Sequence, residues 1–319
     1  MTLTGSQYTI TSGDYTAVIT EQGAALRSLR RGGIPLILEH DPDQLTPAAA
    51  GQLLIPWPNR IDHGEYTFDG TAQKLPITEA ALDNAIHGLT RWESWSLLEI
   101  TESAVTLGHR LLGRPGYPFR LDLTARYALA ATAAQPVSTL NSATAPGLTV
   151  TITATNRGPV PAPYGHGAHP YLTVGIPVDE CTVSLPTTHY QPVDPRMIPS
   201  GPPLPVAGSP YDLPTPLGPL HLDTAFTTHG SAHAIPVTNP THSEVHLTGA
   251  GRTVTLWADP AHPWLQLYTA DGLPPALRRT ALAVEPMTCP ANAFNTGIDL
   301  IHLAPGATFE GSWGILAQL

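Results

Sequence analysis

The stretch Leu148-Thr149-Val150-Thr151-Ile152-Thr153-Ala154 carries the clearest secondary-structure signal in the chain. Apolar residues alternate with threonines along it, and a period of two predicts a β-strand with one buried face. Short segments of strand-like composition recur on both sides of it, at residues 17–20, 25–29, 66–68, 245–247, 254–257, 265–268 and 309–315. The chain therefore has the pattern of many short strands.

Turn residues lie between these segments. Gly32-Gly33 separates residues 26–30 from 34–38, Asp69-Gly70 follows residues 66–68, and Gly249-Ala250-Gly251-Arg252 links two further segments, all of which are hairpin signals. The 319 residues include 35 prolines and 28 glycines, which disfavour long helices. The pattern predicts an all-β fold, namely a large antiparallel β-sandwich.

The strand pattern continues on both sides of residues 132–146, which are rich in Ala, Ser, Thr and Pro. We interpret this segment as a long loop and not a linker, and we predict a single domain over residues 1–319. The proline-dense composition of residues 200–219 predicts an extended segment on the protein surface. Residues 47–53 are the one short helix candidate.

Charge and composition narrow the classes of function. The chain has 42% hydrophobic residues, enough for a sizeable core, and 15 basic against 25 acidic residues, for a net charge of −10. An acidic surface repels nucleic acid and anionic membranes, so we expect neither as a partner. Two cysteines, a polar N-terminus and the absence of an apolar run of about 20 residues favour a soluble cytoplasmic protein.

The segment Ile55-Pro56-Trp57-Pro58-Asn59-Arg60 places an Asn-Arg pair after two rigid prolines. A guanidinium donates hydrogen bonds in a fixed fork, and an indole face stacks on the apolar side of a pyranose. We therefore take Trp57, Asn59 and Arg60 as candidate sugar-binding residues. Taken alone, an arginine in a loop is more often an ordinary surface residue.

Histidines occur in two glycine-containing segments, His87-Gly88 and Gly165-His166-Gly167-Ala168-His169-Pro170. Two histidines three residues apart raise a metal site as an alternative. The flanking glycines oppose a helix that would present both on one face, and no HExxH or CxxC motif accompanies them. We favour a bend that directs His169 into a pocket, and we predict no metal.

Glu285 ends the apolar run of residues 281–284. A glutamate at the end of a buried strand is costly unless it is used or paired, so a catalytic role and a structural ion pair with an arginine are both open. Two roles are also open for Asp223, in His221-Leu222-Asp223-Thr224: it is either a binding residue or a turn residue.

Taken in order, these segments resemble the aldose 1-epimerase family, whose members are galactose mutarotase-like proteins. The resemblance covers most of the chain and runs through Gly23-Ala24, Asn59-Arg60-Ile61, Gly64-x-Tyr66, His87-Gly88, His169-Pro170-Tyr171, His221-Leu222-Asp223 and Glu285. Pro-Trp-Pro-Asn-Arg and Glu-Pro-Met-Thr-Cys-Pro are similar to a bacterial branch. Many members have Phe where this chain has Leu172, a departure that bears on sugar specificity.

The resemblance implies a galactose mutarotase-like supersandwich and an enzyme that interconverts sugar anomers without a cofactor. It implies that Glu285 is the base at the C1 hydroxyl, that His169 is the acid at the ring oxygen O5, and that His87 hydrogen-bonds near that oxygen. Arg60 and Asp223 would bind sugar hydroxyls, and Trp57 and His166 would line the pocket. We expect Glu285 and His169 on opposite sides of the sugar, in a monomer or homodimer.

Four alternatives are open at this point. A hexose-phosphate 1-epimerase would need additional cations for the phosphate, although the whole chain has only 15 Lys and Arg. A sulfonated sugar is a second anionic substrate. A non-catalytic carbohydrate-binding module would not need the Glu285 and His169 pair. A metal-dependent sugar isomerase is the least favoured.

Overall fold

Strands dominate the computed structural model, which describes residues 2–131, 147–185, 187–227 and 242–319. Within these ranges the one α-helix is the single turn α1 (Ala293–Thr296). The helix predicted at residues 47–53 is wrong in extent: only Pro47–Ala49 form a 3₁₀ turn, with Ala48 at positive φ, and a strand begins at Leu53. No helix among the described residues has both the length and the apolar composition to cross a membrane.

The strands in chain order are β1 (Gln7–Ser12), β2 (Tyr15–Thr20), β3 (Leu26–Arg31), β4 (Ile34–Pro35), β5 (Leu53–Leu54), β6 (Arg60–Asp62), β7 (Glu65–Phe68), β8 (Thr71–Lys74), β9 (Asn84–Ile86), β10 (Ser96–Ile100), β11 (Ala104–Leu111), β12 (Leu121–Ala130), β13 (Gly147–Asn156), β14 (Ala162–Tyr164), β15 (Gly167–Ala168), β16 (Tyr171–Leu172), β17 (Thr182–Ser184), β18 (His189–Tyr190), β19 (Leu204–Pro205), β20 (Asp223–Thr227), β21 (Ser243–Gly249), β22 (Arg252–Ala258), β23 (Trp264–Tyr268), β24 (Leu282–Met287), β25 (Ile301–Leu303) and β26 (Thr308–Gln318).

Two large antiparallel sheets form the sandwich. The rear sheet has the strand order β10-β11-β12-β13-β26-β22-β21-β17. The site sheet has the order β19-β18-β20-β23-β24-β15-β5, and β16 also pairs with β24. Strands β1 to β4 form a third sheet, and β6-β9, β7-β8 and β14-β25 are two-stranded ribbons. The predicted all-β antiparallel sandwich is confirmed.

The alternating stretch at residues 148–154 forms the middle of β13, between β12 and β26. Leu148, Val150, Ile152 and Ala154 are completely buried, whereas the threonines between them are only partly buried. On that second face, the Thr151 hydroxyl contacts Ser312 of β26 at 2.9 Å. The apolar residues thus enter the core and the hydroxyls pair across strands, as a period of two requires.

Apolar side chains from the rear sheet, the site sheet and the four-stranded sheet meet in one hydrophobic cluster. This shared core supports the single domain over residues 1–319, which stays a prediction. The predicted loop at 132–146 lies outside the described residues. Residues 200–219 contain only the two-residue strand β19 amid turns and bends.

Candidate active site

A cavity of about 270 Å³ opens on the face of the site sheet that is turned away from the core. It is lined by Ala48, Ala49, Asn59, Arg60, Ile86, His87, Arg91, His169, Tyr171, Asp223, Gln266, Tyr268 and Glu285. Six of the eight predicted site residues are among them. A larger cavity of about 380 Å³, mostly apolar, contains none of the predicted residues.

Strand alternation explains how the polar residues reach this cavity. On β24, Leu282 and Val284 enter the core, so Glu285 points to the other face. On the neighbouring β23, Gln266 lies directly opposite Glu285 in the strand pairing. Asp223 begins β20, on the far side of β23. Three adjacent strands therefore present a carboxylate, an amide and a second carboxylate on one surface.

His87 enters the cavity from a tight pair of turns. Asn59 and His87 both have positive φ, and they exchange two hydrogen bonds. The His87 backbone N–H donates to the Asn59 carbonyl at 2.8 Å, and the Asn59 backbone N–H donates to Nδ1 of His87 at 3.2 Å. Because Nδ1 is an acceptor, the proton of the neutral ring is on Nε2. His87 is thereby suited to donate a hydrogen bond into the cavity.

His169 and Glu285 are in direct contact, with 3.2 Å between Nε2 of His169 and Oε1 of Glu285. Within the described chain, Nδ1 of His169 and Oε2 of Glu285 have no hydrogen-bond partner. The expectation that these residues lie on opposite sides of a sugar is therefore wrong, because no sugar fits between them at this distance. The C1 hydroxyl and O5 of a pyranose share one carbon, so two adjacent groups can reach both.

Burial shifts the two groups in opposite directions. It lowers the pKa of His169 to about 3, and it raises the pKa of Glu285 well above its usual value, with the negative charge of Asp223 adding to the rise. Both shifts favour the neutral forms, because desolvation penalises charge. The favoured state of the pair therefore carries a single proton, on Glu285.

Arg60 is held mainly by protein partners. Its guanidinium binds Glu79 with two hydrogen bonds of 2.9 Å each, and its Nη1 donates to Oδ1 of Asn59 at 3.2 Å. Asp223 lies 3.9 Å from its Nη2. Since a guanidinium has five N–H donors, Arg60 retains donors for a sugar while most of its charge is balanced by Glu79 and Asp223.

Sequence reasoning missed Gln266, which is buried in the wall of the cavity. Its Oε1 accepts from Nδ2 of Asn59 at 3.2 Å, and its Nε2 donates to Oδ1 of Asp223 at 2.6 Å. A lone amide within the apolar strand 264–268 was the available signal, since buried polar groups are costly unless paired. Arg91, Tyr171 and Tyr268 were also missed.

Two predicted binding residues do not line the cavity. The ring of Trp57 packs edge-on against Phe294 at 5.6 Å between centroids. Both ring nitrogens of His166 are occupied by protein partners, the Tyr164 hydroxyl at 2.9 Å and Nε2 of His262 at 3.0 Å. Both side chains are buried. The prediction that they contact the sugar is corrected, because each is packed into the protein interior.

His87, His169 and Glu285 bring potential ligand atoms within 4.8 Å of one another, a trio that the sequence did not suggest. The surroundings of this trio do not fit a metal site. A ligating histidine donates its second ring N–H to an acceptor. Here Nδ1 of His87 faces the N–H donor of Asn59, and Nδ1 of His169 has no partner among the described residues.

A family model described as aldose 1-epimerase matches residues 6–315. The chain belongs to the aldose 1-epimerase family. Among proteins similar to this family member is the uncharacterized protein YihR of Escherichia coli K12, which is 36% identical over 331 aligned residues covering 100% of this chain and 95% of YihR. The resemblance inferred from the sequence is thus confirmed.

Solved structures support the fold of this aldose 1-epimerase family member. The GalM/aldose epimerase homologue from C. elegans has a TM-score of 0.80 at 18% identity, with 98% of both chains covered. A galactose mutarotase-like protein from Clostridium acetobutylicum has a TM-score of 0.78 at 17% identity, covering 97% of this chain and 94% of that one. Family and fold together support a sugar epimerase.

Proposed function

We propose that this protein is an aldose 1-epimerase that interconverts the α and β anomers of a free aldose. The observation that carries the proposal is the buried contact of 3.2 Å between His169 and Glu285 at the wall of a sugar-sized cavity. Anomer exchange needs one group to accept a proton from the C1 hydroxyl and another to donate a proton to O5. A pair that shares one proton supplies both.

Glu285 acts as the base and His169 as the acid. In the free enzyme, burial favours the proton on Glu285, so sugar binding is coupled to its transfer to His169 across the 3.2 Å contact. Glu285 then takes the C1 hydroxyl proton while His169 protonates O5, and the C1–O5 bond breaks to leave an open-chain aldehyde. After rotation about C1–C2, His169 recovers its proton from the C5 hydroxyl as that oxygen attacks C1, and Glu285 returns a proton to O1.

The remaining cavity residues bind and orient the sugar. The Nε2–H of His87 donates near O5, while Arg60, Asn59 and Asp223 bind hydroxyls. No metal or organic cofactor takes part, a proposal supported by the donor that faces Nδ1 of His87. The only partner required is a small-molecule sugar.

Polarimetry on freshly dissolved α-glucose and α-galactose tests this function. We expect the protein to accelerate mutarotation above the spontaneous rate, and to do so equally after dialysis against a strong chelator. A carbohydrate-binding module would leave the spontaneous rate unchanged. Loss of activity that a divalent ion restores would point to a metal-dependent isomerase instead.

The pH profile is a direct consequence of the shared proton. We expect kcat/KM to be flat from about two pH units above the His169 pKa of about 3 up to the raised pKa of Glu285, because burial favours the one-proton form of the pair. As the pH falls towards the His169 pKa of about 3, a second proton binds and the base is lost. At high pH, Glu285 loses the shared proton and the acid is lost. Circular dichroism at each pH controls for unfolding, and an acid limb near the ordinary histidine pKa of about 6.5 would contradict the assignment.

Arg91 favours a second candidate function, the same reaction on an anionic aldose. Arg91 lines the cavity and has no carboxylate partner among the described residues, whereas Arg60 is paired with Glu79. Burial lowers the Arg91 pKa to about 10, which leaves the guanidinium charged at neutral pH. A phosphate or sulfonate substituent would supply the missing anion.

Polarimetry with phosphorylated and sulfonated aldoses separates the two candidates. If the substrate is anionic, Arg91→Met lowers kcat/KM for that sugar by about tenfold or more, since a charge-assisted hydrogen bond contributes roughly 1.5–3 kcal/mol. The rate with a neutral aldose serves as the control. Equal effects on both sugars would remove the anionic candidate.

A further inference from the structure

The side-chain amide of Gln266 connects two parts of the cavity wall that carry opposite charges, Arg60 and Asp223. It is 3% exposed, lies in the middle of β23, and is opposite Glu285 on β24. Its amide connects Asn59, which is bound to Arg60, to the Asp223 carboxylate. A continuous row of side-chain hydrogen bonds therefore runs from Arg60 to Asp223.

The chemistry at the two ends of this row determines the direction of every bond in it. Arg60 can only donate, so Asn59 turns its oxygen towards Arg60 and its NH₂ towards Gln266. Gln266 must then present Oε1 to Asn59 and Nε2 to Asp223, whose ionised carboxylate can only accept. Neither amide can be reversed without placing two donors or two acceptors together.

The bond from Gln266 also determines which Asp223 oxygen is available. Oδ1 accepts from Gln266 at 2.6 Å, while Oδ2 lies 3.9 Å from Nη2 of Arg60, beyond hydrogen-bond distance. Asp223 lines the cavity and its side chain is 30% exposed. Oδ2 is therefore the oxygen that faces the cavity as a hydrogen-bond acceptor.

We propose that Gln266 is a positioning residue, which holds the Asp223 carboxylate so that Oδ2 accepts a hydrogen bond from a sugar hydroxyl. The inference rests on the proposed function and adds to it a residue that touches neither reacting atom. Asp223 loses both its orientation and part of its charge stabilisation when the amide is removed. The effect is on sugar binding, because the shared proton of His169 and Glu285 does not pass through this row.

The test uses Gln266→Met, which keeps the shape of the side chain and removes both hydrogen bonds. We expect KM to rise roughly tenfold while kcat changes by less than about threefold, the pattern of a lost binding interaction. Gln191→Met is the matched control, since Gln191 is equally buried and donates only to the Pro192 and Gly201 carbonyls, away from the cavity. The control is expected to leave KM unchanged.

A second readout needs no sugar. Burial raises the pKa of Asp223, whereas Arg60 and the Gln266 hydrogen bond oppose the rise, so Gln266→Met is expected to raise it further. Carbon-detected NMR of the Asp223 carboxyl measures this shift. The other charged or titratable groups that act on Asp223 or respond to it are Glu79, His221, Glu285, Tyr171 and Tyr268.

Gln266→Glu keeps the assay decisive if the Met variant does not fold. It preserves the acceptor for Asn59 and places a second carboxylate oxygen against Oδ1 of Asp223, so KM is expected to rise with pH as the two carboxyls lose the proton between them. An unchanged Asp223 titration or a pH-independent KM would overturn the role of Gln266. If wild-type protein catalyses no anomer exchange, the proposed function fails, and the sugar-free titration still decides whether Gln266 holds Asp223.

Discussion

Glu285→Gln and His169→Asn are each expected to lower the kcat of anomer exchange by about 10²- to 10⁴-fold, the usual contribution of general acid–base catalysis. Each substitution preserves the shape of the side chain and removes its ability to carry the shared proton. The double variant is expected to lose little more than the less active single variant, because the two groups are in contact and act as one unit. Polarimetry measures the rates, and calorimetry on the same proteins measures sugar binding.

The rear sheet provides a matched control for this experiment. Glu244 and His246 also form a Glu–His contact, 3.4 Å long, on the other large sheet and outside the lining of the cavity. Glu244→Gln and His246→Asn are expected to leave kcat unchanged. A Glu285→Gln protein that retained more than about a third of the wild-type kcat would show that Glu285 is not the base.

Gly88→Ala is expected to destabilise the fold by about 3 kcal/mol or more and to abolish most activity. Gly88 has a φ of +72°, and a Cβ there would lie 2.1 Å from the carbonyl oxygen of Ile55, which pairs with it in a short bridge. The Ile55 carbonyl is part of the backbone and cannot move aside as a flexible side chain can. The shift would also displace the adjacent His87 from its hydrogen bond with Asn59. Urea denaturation measures the loss of stability.

Gly70→Ala separates the steric clash from the backbone preference. Gly70 has a similar φ of +75° in the β7–β8 turn, and nothing lies within 4 Å of a Cβ placed there. Its substitution is expected to cost only the left-handed conformation, about 1–2 kcal/mol. Equal losses of stability in the two variants would show that the contact with Ile55 carries no weight.

The strands near alternating or turn-bounded residues were predictable because their signals are local. The hairpin at Gly32-Gly33 forms between β3 and β4, with both glycines at positive φ. Likewise, Ala250-Gly251 forms the turn between β21, which ends at Gly249, and β22, which begins at Arg252. The prediction of a helix at residues 47–53 was wrong because local composition contains no information about the pairing of Leu53 in β5 with Ala168 in β15 of the site sheet. A strand partner more than 100 residues away overrode the weak helical tendency of three alanines.

The same difference between local and long-range signals applies to the residues of the candidate site. Glu285 and His169 were identifiable because an ionisable residue beside apolar or glycine-rich sequence is locally unusual. Trp57 and His166 were misassigned because sequence does not tell whether an aromatic ring or an imidazole faces a cavity or the interior. Gln266 was missed because its two partners, Asn59 and Asp223, are 207 and 43 residues away.

Composition and strand periodicity were thus sufficient for the all-β class, since both depend on residues that are neighbours in the chain. The resemblance of the ordered motifs was sufficient for the aldose 1-epimerase family, since each motif is a short segment that can be recognised without the fold. The contact between His169 and Glu285, the tautomer of His87 and the row of bonds through Gln266 depend on strand register instead. A shift of one residue between β23 and β24 would turn Gln266 or Glu285 into the core. Because register is set by packing over the whole sandwich, these features of the cavity became visible only once the sheets were assembled.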